Sequence, residues 1–237
     1  MDGTYHIKEK LEHDGFAIVN DFYTDKELAL LHLIIANGDS SRPTFRKTND
    51  LFAIRQFLKE LPQAAPIIFN KRFVAMLSVL FGEDYFVVKS IYFDKPAESN
   101  WFVSYHQDLT ISVDKKIIVE GFGPWTTKQA QFAVQPPLPV LQDNFTVRIH
   151  LDETNEANGA LKVIPTSHRK GIYRPETIDW SKEKESTCCV NQGGVMFMKP
   201  LLLHSSGRTT NNAKRRVVHI EFSKQILPNG LIGLKQC

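Results

Sequence analysis

His106, Gln107 and Asp108 form a His-x-Asp triplet, answered far along the chain by His204 and by the basic doublet Arg215-Arg216. Two imidazoles and one carboxylate on one side of a metal leave the opposite positions open, the donor set expected of a non-haem Fe(II) oxygenase. Residues i and i+2 of a strand point to the same face, so His106 and Asp108 can reach one ion from a rigid backbone. The triplet alone is a common string, and its weight comes from its setting. Residues 101–105 (WFVSY) lead into it and residues 109–113 (LTISV) carry on beyond it. Both are aromatic or β-branched runs, which puts the pair on or beside a strand.

The second half of the candidate site reads as strand, turn and strand. Gly193-Gly194 breaks the chain before residues 195–198 (VMFM), residues 200–203 (PLLL) lead to His204, a polar loop covers 205–212, and residues 215–222 (RRVVHIEF) return as a strand. Arg215, eleven positions past His204, can meet the far carboxylate of a bound 2-oxo acid, because the guanidinium fork matches a carboxylate in shape and charge. Alternation places Arg216, Val218, Ile220 and Phe222 on an apolar face and Arg215, Val217, His219 and Glu221 on the other. In a small barrel holding a polar site, the polar face turns inward while the apolar face packs under helices or a second sheet. Arg215 is therefore the expected anchor and Arg216 the alternative.

Three ordered segments resemble the phytanoyl-CoA dioxygenase family: YHQDL at 105–109, LDETNEANGALKVIPTSH at 151–168, and PLLLHSS at 200–206 followed by Arg215. The resemblance runs over roughly residues 10 to 225. It implies a mainly β fold with flanking helices, a double-stranded β-helix of the jelly-roll or cupin-like barrel type. It also implies a dioxygenase that uses Fe(II), 2-oxoglutarate and O2 to hydroxylate a small-molecule or acyl-type substrate, releasing succinate and CO2. Carried over by position, it makes His106, Asp108 and His204 the iron ligands and catalytic centre, and Arg215 the holder of the distal carboxylate of 2-oxoglutarate. Ser206 would support that carboxylate, and Lys89 would be a polar side chain reaching the cosubstrate. A carboxylate at Asp108 argues against halogenation, since the resembling halogenases lack it. Two departures stand out: Thr166 where the family has Gly before Ser-His, and Gly193-Gly194 where it has Gly-Asp.

At 237 residues and 42% hydrophobic content, the chain suits one well-cored domain over residues 1–237. A net charge of +3 is too mild to argue for nucleic acid. The three cysteines, Cys188, Cys189 and Cys237, suggest no disulfide framework and hence a reducing compartment. The amino terminus is polar, and no run of 18 apolar residues occurs. A cytoplasmic protein with a small-molecule substrate, without membrane or nucleic-acid partner and of open oligomeric state, is the expectation. His150, His168 and His219 are expected to be structural, and the Asn158-Gly159 pair a turn.

The positioning elements follow from periodicity. Tyr5 to His13 suggests a short helix and Gly15 to Val19 a first strand. Thr24 to Glu27 reads as a capping box opening a helix with a broad apolar stripe of Leu28, Leu30, Leu31, Leu33, Ile34 and Ile35. A loop is expected from Asn37 to Asp50, then helices through Leu51–Leu61 and Lys71–Phe81, and mostly strand from Tyr85. The irregular stretch from Lys115 to Gln142 is expected to be a substrate-side lid, with Phe122 and Trp125 as hydrophobic contacts. Three other classes remain open: a non-catalytic metal-binding cupin-like module, a zinc hydrolase, and a nucleic-acid demethylating dioxygenase. The last lacks its spaced arginine pair here.

Overall fold

A strand with one apolar and one polar face must find two different neighbours, and the long carboxy-terminal strand sets this division for the whole chain. The computed structural model describes residues 2–49, 52–128, 131–228 and Leu231. Fourteen strands are described: β1 (Phe16–Val19), β2 (Phe45–Lys47), β3 (Phe52–Arg55), β4 (Phe86–Lys95), β5 (Val103–His106), β6 (Ile111–Val113) and β7 (Trp125–Lys128). They continue as β8 (Gln131–Val134), β9 (Phe145–His150), β10 (Leu161–Val163), β11 (Ser186–Cys188), β12 (Val195–Met198), β13 (His204–Ser206) and β14 (Arg215–Ser223). The helices are α1 (Asp2–Asp14), α2 (Asp25–Ala36), α3 (Phe57–Glu60), α4 (Ala65–Ile68), α5 (Lys71–Phe81) and α6 (Leu138–Asp143).

The strands form a seven-stranded sheet in the order β1-β12-β9-β14-β4-β3-β2, a four-stranded sheet β11-β10-β13-β5, and a three-stranded sheet β6-β8-β7. On the large sheet, Val218, Ile220 and Phe222 of β14, Phe145, Val147 and Ile149 of β9, and Val195 and Phe197 of β12 face the helices. There they pack with Leu28 and Leu31 of α2 and Phe73 and Leu80 of α5. The opposite face carries Met196 and Met198, which meet Leu161, Val163 and Cys188 of the four-stranded sheet. Two sheets facing one another with helices outside is the double-stranded β-helix arrangement expected. The hydrogen-bonded sheets are not closed into a barrel, so the cavity between them is the mouth of an open sandwich.

Several local expectations change. The capping box is present, with Glu27 N donating to Thr24 Oγ1 at 3.3 Å and Thr24 N to Glu27 Oε2 at 2.8 Å. The stripe on α2 is narrower than its composition suggests, since Leu28 and Leu31 are buried while Leu30 and Leu33 are exposed. The helix expected over Leu51–Leu61 is instead strand β3 followed by the single turn α3; Asp50 and Leu51 lie outside the described residues. Pairing of β3 with β4 explains the switch, because Phe52, Ala53, Ile54 and Arg55 stand opposite Asp94, Phe93, Tyr92 and Ile91, and tertiary pairing overrides local propensity. The Asn37 to Asp50 loop contains β2.

The stretch from Lys115 to Gln142 is not an irregular lid. It holds β7, β8 and most of α6, and its Phe122, Trp125 and Phe132 pack with Ile111, Val113, Leu141 and Leu201 in a cluster of their own. None of its described residues lines the cavity of the His-x-Asp triplet. Among the described residues no single helix is long and apolar enough to cross a membrane.

The middle motif fixes the return strand through its turns. Gly159 adopts φ +82°, and a Cβ there would lie 2.7 Å from Gly207 O. Thr166 adopts φ 67°, the left-handed region in which a β-branched residue is strained. The next residue, Ser167, accepts the Leu203 N–H on its Oγ at 2.9 Å and so holds the chain one residue before His204. Thr166→Gly is expected to stabilise the protein by about 1 kcal/mol, by relieving that strain. Gly159→Ala should destabilise it by about 2 kcal/mol or more, through strain and the clash with Gly207. Urea unfolding midpoints of the two variants should therefore move in opposite directions.

Candidate metal centre

β5 and β13 pair antiparallel with His106 directly opposite His204, and the two rings lie 4.2 Å apart between centroids. His106 Nδ1 donates to Ser104 O at 2.9 Å, and His204 Nδ1 donates to Leu202 O at 2.8 Å. A carbonyl can only accept, so each ring keeps its proton on Nδ1 and presents the lone pair of Nε2 inward. Asp108 sits just past the end of β5 rather than within it, which corrects the two-residue strand argument. What holds it is its own N–H donating to Pro200 O at 2.9 Å and the buried Gln107 beside it. Gln107 Nε2 donates to Leu201 O and Gly171 O, and its Oε1 accepts from Tyr173 N.

His106 Nε2 and His204 Nε2 each stand 3.9 Å from one Asp108 carboxylate oxygen, and the three donor atoms lie within 4.8 Å of one another. Asp108 Oδ2 is buried with no hydrogen-bond partner. A buried, orphaned carboxylate oxygen between two inward lone pairs fits a divalent cation, since a buried acceptor normally has a donor. Burial would raise the Asp108 carboxyl, but His204 and Lys89 outweigh it and pull it down to about 2. Burial pushes His204 down to about 4 against the pull of Asp108. Asp108 and His204 are thus unprotonated at neutral pH, as metal ligands must be.

The triplet opens into a cavity of about 230 Å³ between the two facing sheets. Lys89, Arg148, Ser206, Arg215 and His219 line it with the triad, and Ile91, Phe93, Trp101, Val103 and Leu161 form its apolar walls. Arg215 is buried; its Nη2 donates to Ser206 Oγ at 3.3 Å, while Nε and Nη1 have no partner. Arg216 points to the other face, where it makes a bidentate pair with Asp152 at 2.8 and 2.6 Å. Lys89 is engaged with Glu221 at 2.6 Å rather than free in the cavity. Burial alone would lower the Lys89 ammonium, but Glu221 and Asp108 raise it above the ordinary range.

Two cavity residues were not singled out from sequence as functional, Arg148 and His219. Their signal was the polar alternation of β9 (Thr146, Arg148, His150) and of β14 (Arg215, His219, Glu221), which marks the inner face. His150 and His168, expected to be structural, bond Thr154 Oγ1 and Glu12 O. Asp108, His219 and Glu221 also lie close enough to suggest a second cation site. His219 Nε2 instead donates to Glu221 Oε1 at 3.0 Å, so those groups satisfy one another.

The sequence profile of the phytanoyl-CoA dioxygenase family matches residues 11–217, most of the chain. The chain belongs to the phytanoyl-CoA dioxygenase family. It is a non-haem oxygenase of the kind that depends on Fe(II), 2-oxoglutarate and O2. The fold agrees across distant solved structures. AviO1 from Streptomyces viridochromogenes Tue57 is 16% identical with a TM-score of 0.67, covering 95% of this chain and 96% of that one. EctD from S. alaskensis, solved with 2-oxoglutarate and 5-hydroxyectoine, is 18% identical with a TM-score of 0.69, covering 91% and 74%. SnoK, a non-heme alpha-ketoglutarate-dependent carbocyclase from nogalamycin biosynthesis, is 13% identical with a TM-score of 0.67, covering 92% and 83%. None of the curated proteins matches the sequence.

Burial holds His150 and His219, as well as His204, below the ordinary imidazole range. The unfolded chain takes up protons on them below about pH 6.5 while the folded one does not, so stability is lost as pH falls from about 6.5 towards 4. For His204 alone the loss amounts to about 3 kcal/mol over that window. Metal-free protein should therefore show a urea midpoint that falls steeply between pH 7 and pH 5. A flat profile would mean that these imidazoles are not held neutral.

Proposed function

We propose that the cavity between the two facing sheets is the active site, with His106, Asp108 and His204 holding Fe(II) and Arg215 holding the distal carboxylate of 2-oxoglutarate. One observation carries this reading: an orphaned Asp108 oxygen and two orphaned Arg215 nitrogens border a single cavity. The bound iron and 2-oxoglutarate supply the oxidising chemistry, in which one atom of O2 ends in succinate, formed with loss of CO2, and the other in a hydroxyl on the substrate. The protein's own contribution is geometric and electrostatic. The Nδ1–H bonds of His106 and His204 hold their Nε2 lone pairs in place. Ser206 Oγ, which donates to Gly159 O at 3.2 Å, orients the Arg215 fork. Lys89 keeps Glu221 charged and paired, so its part is to support the cavity wall rather than to grip the cosubstrate.

Ile91, Phe93, Trp101, Val103 and Leu161 would exclude water from the reacting C–H bond of a small-molecule or acyl-type substrate. Cys188 and Cys189 are unpaired thiols, which supports the expectation of a reducing, cytoplasmic setting.

Anaerobic protein given Fe(II) and then 2-oxoglutarate should develop the weak visible charge-transfer band of a chelated 2-oxo acid. Asp108→Ala should remove both the band and Fe(II) binding. Arg215→Ala should weaken 2-oxoglutarate binding by on the order of 2–4 kcal/mol, through loss of a charge-assisted bidentate contact, with iron affinity little changed. Arg216→Ala, which breaks only the Asp152 pair on the far face, should leave 2-oxoglutarate affinity intact. Iron binding without the band, together with no calorimetric affinity for 2-oxoglutarate, would replace the oxygenase by an inert metal-binding module.

A further inference from the structure

The cavity holds a second guanidinium that the reading above does not use. Arg148 lies on β9 opposite His219 of β14, on the inner face, and is 8% exposed. No carboxylate pairs with it among the described residues. Its Nη1 donates to His219 Nδ1 at 3.1 Å, and its Nε is buried without a partner. His219 in turn donates from Nε2 to Glu221, which also accepts from Lys89. That chain fixes His219 as a neutral acceptor towards Arg148, so it aims the guanidinium without cancelling its charge.

Arg148 and Arg215 address different parts of the same cavity. His219, opposite Arg148, lies four residues along β14 from Arg215, a separation of about 13 Å between backbones. Arg148 bonds His219, a ring nitrogen of which lies within 4.8 Å of an Asp108 carboxylate oxygen, whereas Arg215 bonds Ser206. Arg148 is therefore on the metal-ligand side and Arg215 on the far side. Two buried like charges, neither in an ion pair among the described residues, call for an anion with a negative group at each end.

We propose that Arg148 is a second carboxylate anchor, binding the metal-proximal carboxylate of 2-oxoglutarate while Arg215 binds the distal one. This rests on the oxygenase reading and adds to it a specificity-determining residue. The same guanidinium would suit an anionic group on the prime substrate, and the test separates the two sources.

Full-length protein, both metal-free and loaded with redox-inert Mn(II), is titrated calorimetrically with three ligands: 2-oxoglutarate, 2-oxopentanoate, which lacks the distal carboxylate, and 4-oxopentanoate, which lacks the proximal one. Arg148→Gln should weaken 2-oxoglutarate and 2-oxopentanoate by tenfold or more and leave 4-oxopentanoate within twofold. Arg215→Gln should give the crossed pattern, weakening 2-oxoglutarate and 4-oxopentanoate and sparing 2-oxopentanoate. Arg148→Lys, which keeps the charge, should recover part of the loss. General damage to the fold cannot produce such a crossing. Equal weakening of all three ligands by Arg148→Gln overturns the inference. So does no weakening of any, which would assign the guanidinium to the prime substrate. If Arg215→Gln also leaves 2-oxoglutarate unaffected, the cosubstrate reading falls with it.

Discussion

The site depends on one long-range contact, the antiparallel pairing of β5 with β13 that sets His106 against His204. Neither strand is long, and β5 lies at the edge of its four-stranded sheet, so the pairing needs outside support. β10 supplies it from the other side, with Val163 opposite His204 and Leu161 opposite Ser206. The turn after β10 adds the Ser167 hydroxyl under Leu203. The middle motif touches no metal donor, yet it holds the strand that carries one. Asp108, beyond the end of β5, is placed by backbone bonding to Pro200 and by the buried Gln107 amide. The triad is therefore built from one strand pair, which carries both histidines, and the residue two positions beyond the end of β5.

Around that pair the interior is polar where most interiors are not. Lys89, Arg148, Arg215, His219 and Glu221 all sit on the inner face of the large sheet, and the fold tolerates them by linking several into one chain of hydrogen bonds. Each link in that chain fixes the next: Lys89 keeps Glu221 ionised, Glu221 accepts a hydrogen bond from His219 Nε2–H, and His219 Nδ1 then accepts from Arg148. The outer face of the same strands is mostly apolar and covered by helices, so most of the energy of burial comes from one side of the sheet and the chemistry from the other.

Much of this was legible in the residues. The alternation of β14 set Arg215 and Arg216 on opposite faces, and the need of a polar site for the polar face picked Arg215 as the inward one. His106, Asp108 and His204 stood out by type and spacing and do converge. Less legible was anything decided by partners distant in sequence. Phe52 to Arg55 looked helical because its apolar content is compatible with either period, and only β4 settles it as a strand. The segment from Lys115 to Gln142 looked irregular because its prolines and glycines mask two four-residue strands that exist by pairing with each other and with β6. Arg148 was passed over because the polar alternation of FTVRIH marks a face and not a role; its meaning comes from what lies across the cavity.

The two neighbouring arginines of β14 show why unsatisfied donors are the more informative ones. Arg216 is tied to Asp152 through its side chain and its backbone N–H, and nothing about it calls for another molecule. Arg215, one residue earlier, is buried with two nitrogens free of any partner, and Arg148 has one. An unmade hydrogen bond to a buried charged group costs several times what a made one contributes, so a stable fold rarely keeps three such atoms and an orphaned carboxylate oxygen around one cavity. The cost is recovered when an anion and a cation enter together. The same arrangement makes joint binding of a metal and a dicarboxylate cooperative, because each meets the charge that its own protein ligands leave uncompensated and the two attract one another.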